Sequence, residues 1–161
     1  MNKKVVMNSP MRKHLESKFS NICILPSKRY IGEIDLFFKK VKMYERDGVK
    51  CFSPKNIFES YLHFDNNNSP ITEWEWDTNE IYLDKSLIKR QYKKTIVRSS
   101  QHIEKILLER FPNNSFQISF CIQFGKYRNI SIRICQDLDD SILERDLNKY
   151  DQPIMQVYLK T

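Results

Sequence analysis

Glycine is scarce in this chain of 161 residues: only Gly32, Gly48 and Gly125 occur, too few and too scattered to build a glycine-rich phosphate loop. Nucleotide-binding folds of the P-loop and dinucleotide types are therefore excluded. Histidine is equally sparse, with His14, His63 and His102, and the four cysteines at positions 23, 51, 121 and 135 form no C-x-x-C pair. Metal-ligand spacing is absent, so neither a metal nor a cofactor is expected. Scattered cysteines instead suit free thiols in a reducing compartment. No window approaches the roughly 18 to 20 apolar residues that a bilayer crossing needs. The apolar run after the first lysines, Val5 to Met7, is too short for the core of a signal peptide. The expectation is a cytoplasmic protein that does not engage a membrane.

One further absence is local. Residues 56 to 84 contain no Lys or Arg, although the chain carries 27 of them and a formal net charge of +7. The same segment holds seven acids (Glu59, Asp65, Glu73, Glu75, Asp77, Glu80 and Asp84) and both tryptophans, Trp74 and Trp76. By blocks, residues 1 to 55, 56 to 84, 85 to 111 and 112 to 161 carry net charges of +8, −7, +6 and 0. Segregated charge of this kind bears on partners and steering rather than on fold.

The length suits one domain, and a composition of 40% hydrophobic and 12% aromatic residues suffices for a packed core. Ser9-Pro10 reads as N-cap and first helical position, with Met11, Leu15 and Phe19 following at helical spacing over about 10 to 20. Asn21 to Leu25 suits a strand stopped by Pro26. Arg29 to Met43 reads as a short extended piece, Tyr30 to Ile34, running into a helix that ends near Asp47-Gly48. Ser53-Pro54 repeats the helix-start signal for a helix over about 54 to 63, and 65 to 70 is loop. Within Thr72 to Trp76 the tryptophans alternate with Glu73 and Glu75, which predicts an extended arm turning at Asp77 to Asn79 into a strand over Ile81 to Leu83. A long helix then runs from a cap at Asp84 to Phe111, with Ser99-Ser100 as a possible break and Pro112 as its end.

The last third carries the clearest periodicity. Phe116, Ile118, Phe120 and Ile122 alternate with polar residues, as do Ile130, Ile132 and Ile134. A hairpin linked by residues 125 to 128 would pair Ile122 with Ile130, Phe120 with Ile132 and Ile118 with Ile134, burying the isoleucines on one face and leaving Cys121 and Cys135 on the other. A helix over about 139 to 149, with Leu147 and Tyr150 inward, and a strand over Ile154 to Leu159 complete the chain. The resulting expectation is a single α+β domain over residues 1 to 161, its mainly antiparallel sheet covered by helices on one side.

Catalytic constellations are weak. His14 with Glu16, or His102 with the basic helix, could supply acid-base groups to a nuclease, but such residues occur in most chains. Cys121 has no histidine near it in sequence to activate a thiol. No catalytic residue is therefore assigned. Two surfaces remain. Lys85, Lys89, Arg90, Lys93, Lys94 and Arg98 form a cationic stripe, read either as a solvated helix face or as a contact for phosphates or an acidic protein. Glu73, Trp74, Glu75, Trp76 and Asp77 combine hot-spot aromatics with carboxylates, or else pack on the protein's own core and answer its own lysines.

The segments LLERFPNNSF, the alternating hairpin and DLNKYDQPIMQVYL, over roughly residues 100 to 161, resemble in layout the cytoplasmic immunity proteins encoded beside polymorphic bacterial toxins, including those of contact-dependent growth inhibition systems. The resemblance implies a non-enzymatic α+β protein that binds a cognate toxin domain, expected to be a nuclease, and blocks its active site or substrate surface. Many such proteins against nucleases are acidic, whereas this chain is basic. The expected contact residues are Trp74, Trp76, Glu73, Glu75 and Asp77, followed by Lys89, Arg90, Lys93 and Lys94. The competing expectation is a small RNA-binding protein or nuclease that uses the basic helix over 85 to 98.

Overall fold

A computed structural model describes residues 2–16, 29–46, 48–55, 71–84, 86, 91–124, 129–137 and 146–160. The expected strand at 21–25, the helix at 54–63 beyond its first two residues, the loop at 65–70, the hairpin link at 125–128 and most of the helix at 139–149 lie outside them. Among the described residues the element order is β1 (Asn2–Met7), α1 (Ser9–Glu16), α2 (Arg29–Lys40), β2 (Lys42–Arg46), β3 (Val49–Ser53), α3 (Ile71–Thr78), β4 (Glu80–Asp84), α4 (Tyr92–Arg110), β5 (Phe116–Gln123), β6 (Asn129–Gln136), a 3-10 turn (Leu147–Lys149) and β7 (Ile154–Lys160).

Five strands form one antiparallel sheet in the order β1-β7-β5-β6-β4. The two ends of the chain meet in it, because β1 pairs with β7 along its whole length. The hairpin β5–β6 adopts the register its alternation predicts, with Ile122 opposite Ile130, Phe120 opposite Ile132 and Ile118 opposite Ile134. Period-two side chains then place Ile81, Leu83, Met155, Val157 and Leu159 on the same face, and all of these residues are buried. Tyr30, Ile34 and Phe38 on α2 and Ile96, Ile103 and Leu107 on α4 join them in one core. Each helix shows the stripe at three- and four-residue spacing that buries one face. Phe52 is the hub of this core, its ring centroid 5.0 Å from Phe116, 5.2 Å from Phe111 and 6.4 Å from Phe38.

Several local expectations need correction. Tyr30 to Ile34 is helical from its first residue, since Tyr30, Ile34 and Phe38 fall on one buried stripe of α2. The helix ends at Lys40, and Gly48 instead lies in the turn of hairpin β2–β3, where Arg46 pairs with Val49 and Gly48 has φ of 80°, a conformation glycine adopts without steric penalty. Ser99 and Ser100 do not break α4; both are buried within it. Tyr150, expected inward, is 44% exposed. The cap of α1 is Asn8 rather than Ser9: Asn8 Oδ1 accepts from Met11 N at 3.1 Å and also from Ile154 N at 3.0 Å. Its Nδ2 donates to the carbonyls of Leu147, Tyr150 and Gln152. One fully buried side chain thus fastens the 147–152 segment to the start of the fold.

Candidate functional site

The acidic segment folds as a helix, not as an extended arm. Residues 71 to 78 are α3. In a helix, residues two apart diverge by about 200°, so Trp74 and Trp76 leave opposite sides instead of sharing one. Glu75, expected to face a partner, is fully buried. Its Oε1 accepts from Phe52 N and Gln136 Nε2, and its Oε2 from Gln136 N, all at 2.6 Å. One turn later, Asn79 Nδ2 donates to the carbonyls of Phe52 at 2.5 Å and Ile134 at 3.0 Å, while Ile134 N donates to Asn79 O. Residues four apart share a helical face, and here that face takes the place of a strand. It meets the N–H and C=O groups of β3 and β6 beyond Arg133, where β4 has ended its pairing.

Burial pushes the Glu75 carboxyl up to about 7, against the opposing pull of its N–H donors and of the Cys51 thiol. The same carboxylate, after burial itself, raises Cys51. Glu75 is therefore part of the core, which removes it from the expected contact set. Glu73 lies in α3 and Asp77 is exposed on it. Trp74 and Trp76 are both half-buried.

The cationic stripe is only partly within the described residues, since 85 and 87–90, and with them Lys89 and Arg90, fall outside. Lys93 Nζ donates to the Leu15 carbonyl at 2.7 Å, at the C-terminal end of α1, and Arg110 at the far end of α4 donates to the Phe38 and Val41 carbonyls, at the end of α2. Cations at helix C-termini satisfy the orphan carbonyls and complement the macrodipole. Lys94 is exposed beside Lys93. Of the stripe's described residues, Lys93 therefore answers a helix end within the protein, and Arg98 is exposed. Of the described acids in residues 56 to 84, Glu80 pairs with a base, and that base is Arg133 of β6, at 3.1 Å.

That pair lies in the concavity on the polar face of the sheet. Across β7, β5, β6 and β4, register aligns Gln156, Ser119, Arg133 and Glu80 in one row and Ile154, Cys121, Ser131 and Tyr82 in the next. At about 4.8 Å between neighbouring strands, each row forms a floor roughly 14 Å wide. Trp76 from α3 walls one side, and Leu147, Tyr150 and Gln152 wall the other, enclosing about 230 Å³. The Arg133 guanidinium lies 5.4 Å from the Trp76 ring centroid, within cation–π range. Tyr82 is 57% exposed, and its hydroxyl donates to Glu80 Oε2 at 2.5 Å. Burial raises the Glu80 carboxyl, but hydrogen bonds from Tyr82, Ser131 and Arg133 and the charge of Arg133 outweigh it, holding the group below the ordinary carboxylate range. Burial raises the Cys121 thiol, despite the nearby Arg133 charge, and Cys121 donates to Gln152 Oε1 at 3.0 Å.

Of the expected contact residues, Trp76 lines the concavity, together with Tyr82, Arg133 and Tyr150, which were not in that set. The sequence signal for Arg133 is the second face of the hairpin, where it alternates with Ile132 and Ile134. Among the described residues, no group of three or more His, Cys, Asp or Glu side chains is arranged to hold a metal ion, and no helix is long and apolar enough to cross a membrane. Comparison with protein-family models, with curated proteins and with solved structures gives no match for this chain.

Proposed function

We propose that this chain is a non-enzymatic binding protein of the immunity class, acting in the cytoplasm, which neutralises a cognate toxin domain of nuclease type by covering its active site or substrate surface. The contact surface is the polar face of the sheet around Trp76, Tyr82, Arg133 and Tyr150. One observation carries the reading: Tyr82 and Tyr150, 57% and 44% exposed, stand with Trp76 and Arg133 around a single open concavity. Trp, Tyr and Arg are the residue types that dominate interface hot spots.

The chemistry of the concavity favours binding over turnover. Its thiol is raised by burial and its carboxylate is held ionised by three donors, so neither is poised as a nucleophile or as a proton carrier near neutral pH. The class of partner rests on the resemblance of residues 100 to 161 to immunity proteins.

The test is co-purification with the product of the immediately upstream gene. A stoichiometric complex is expected, weakened at least tenfold by Trp76→Ala with Tyr82→Ala, while circular dichroism and the melting temperature of the isolated protein change little. No complex, or RNA binding with a steep salt dependence that Lys93→Glu abolishes, overturns the proposal.

A further inference from the structure

The hydrogen-bonding groups that the concavity leaves unsatisfied define what fits it. Three glutamines line it, and in each the amide oxygen already accepts a hydrogen bond. Gln123 Oε1 accepts from Asn129 at 2.9 Å, Gln152 Oε1 from the Cys121 thiol at 3.0 Å, and Gln156 Oε1 from the Tyr158 hydroxyl at 2.7 Å. Each oxygen has one of its two acceptor positions taken, whereas the NH2 group of each amide has both of its N–H donors unused. Among the described residues none of these three NH2 groups donates to a protein atom. The carboxylate of the concavity is engaged as well. Glu80 takes Arg133 Nε at 3.1 Å on one oxygen and the Tyr82 hydroxyl at 2.5 Å on the other. Glu80 takes Nε of Arg133, whose guanidinium carbon lies 5.4 Å from the Trp76 ring centroid and whose side chain is 33% exposed.

From this arrangement we infer that the concavity receives a carboxylate, the side chain of an Asp or Glu on the protein partner, held by Arg133 and by the amide groups of Gln152 and Gln156. The inference rests on the proposed binding role of this face and specifies its chemistry. An ionised carboxylate is the side-chain group that only accepts hydrogen bonds, and charge-assisted bonds from guanidinium to carboxylate are among the strongest available. The local charge also sets the valence. Glu80 already offsets Arg133, so a monoanion held mainly by neutral N–H donors matches the site better than a phosphate dianion. A volume of about 230 Å³ accommodates one such side chain, and the net charge of +7 steers acidic partners toward the protein.

The test titrates the intact protein with N-acetylglutamate α-amide, with its neutral isostere N-acetylglutamine amide, and with inorganic phosphate, following the side-chain N–H signals of Gln152, Gln156 and Arg133 Nε. The glutamate probe is expected to shift them saturably, with the glutamine probe and phosphate at least tenfold weaker. Arg133→Gln should abolish the response. If that variant misfolds through loss of the Glu80 pair, Gln152→Leu, at an exposed position, should weaken the response severalfold in a folded protein. Equal shifts from the two organic probes, no saturable shift from either, or tighter binding of phosphate overturns the inference. The two readings fail separately. A site that takes the glutamate probe in a protein that forms no toxin complex sinks the immunity role alone, whereas a toxin complex indifferent to both Arg133→Gln and Gln152→Leu sinks the carboxylate site alone.

Discussion

Replacing Glu75 with Gln tests the central feature of the fold, the helix that stands in for a strand. The Glu75 carboxyl is raised from 4.5 to about 7, chiefly by burial. A shift of this size corresponds to about 3 kcal/mol between protonation states. The sign follows from proton counts. Between pH 4.5 and 7 the folded protein holds a proton on Glu75 that the unfolded chain has released, so stability declines as pH rises through that window. Below pH 4.5 both states are protonated and the penalty vanishes; above pH 7 it is complete and constant. Urea unfolding of the wild type and Glu75→Gln at pH 4.5, 6, 7 and 8 isolates the effect, because other titrating groups are common to both proteins. The wild type should lose about 3 kcal/mol relative to the variant from pH 4.5 to 8, a relative midpoint shift on the order of 1.5 M for a urea slope near 2 kcal/mol/M. Parallel pH profiles would refute the reasoning. They would mean that the three N–H donors from Phe52 and Gln136 keep Glu75 ionised throughout.

Other outcomes are expected from the same physics. Asn8→Ala removes the cap of α1 and leaves the Ile154 N–H and three carbonyls without their partner, and should destabilise by about 2 kcal/mol or more, measured by thermal or urea unfolding with Ser9→Ala as a near-neutral control. Cys51 and Cys135 are buried free thiols raised first by burial and then by the Glu75 charge. Peptide mass spectrometry after alkylation at pH 8 should find them modified only in urea, and rapid native labelling of either would contradict their placement. The half-buried Cys121 should label slowly in the native state, and faster in Gln152→Leu, which removes the acceptor of its S–H bond.

Alternation along 116–122 and 130–134 was enough to give the hairpin, its register and the buried isoleucine face, because a slip of one residue would turn every isoleucine outward. The α+β class followed from it. The site was harder to read. Glu73 to Asp77 alternates apolar and acidic residues, which is the signature of a half-buried strand, yet the segment is helical and Glu75 points inward. Local pattern could not reveal this, because the reason lies 23 residues upstream and 61 downstream, in the open N–H groups of Phe52 and Gln136. Buried backbone groups must find partners, and a carboxylate with an asparagine one turn later supplies them. The edge strand β1 carries no local signal either, since Lys3 and Lys4 are solvated charges whose strand forms only where β7 is present to pair with it.

Sequence by itself therefore determined the class of fold, the central hairpin and its core face, all set by the period of nearby side chains. Tertiary structure decided what the conspicuous acidic, tryptophan-bearing segment is for. Of its described acids, Glu75 serves the core, Glu80 pairs with Arg133 and Asp77 remains exposed on α3. The surface assigned to binding is assembled from four strands, α3 and the 147–152 segment. Register across a sheet, which no local window contains, is what brings Arg133, Tyr82 and Gln156 to one face.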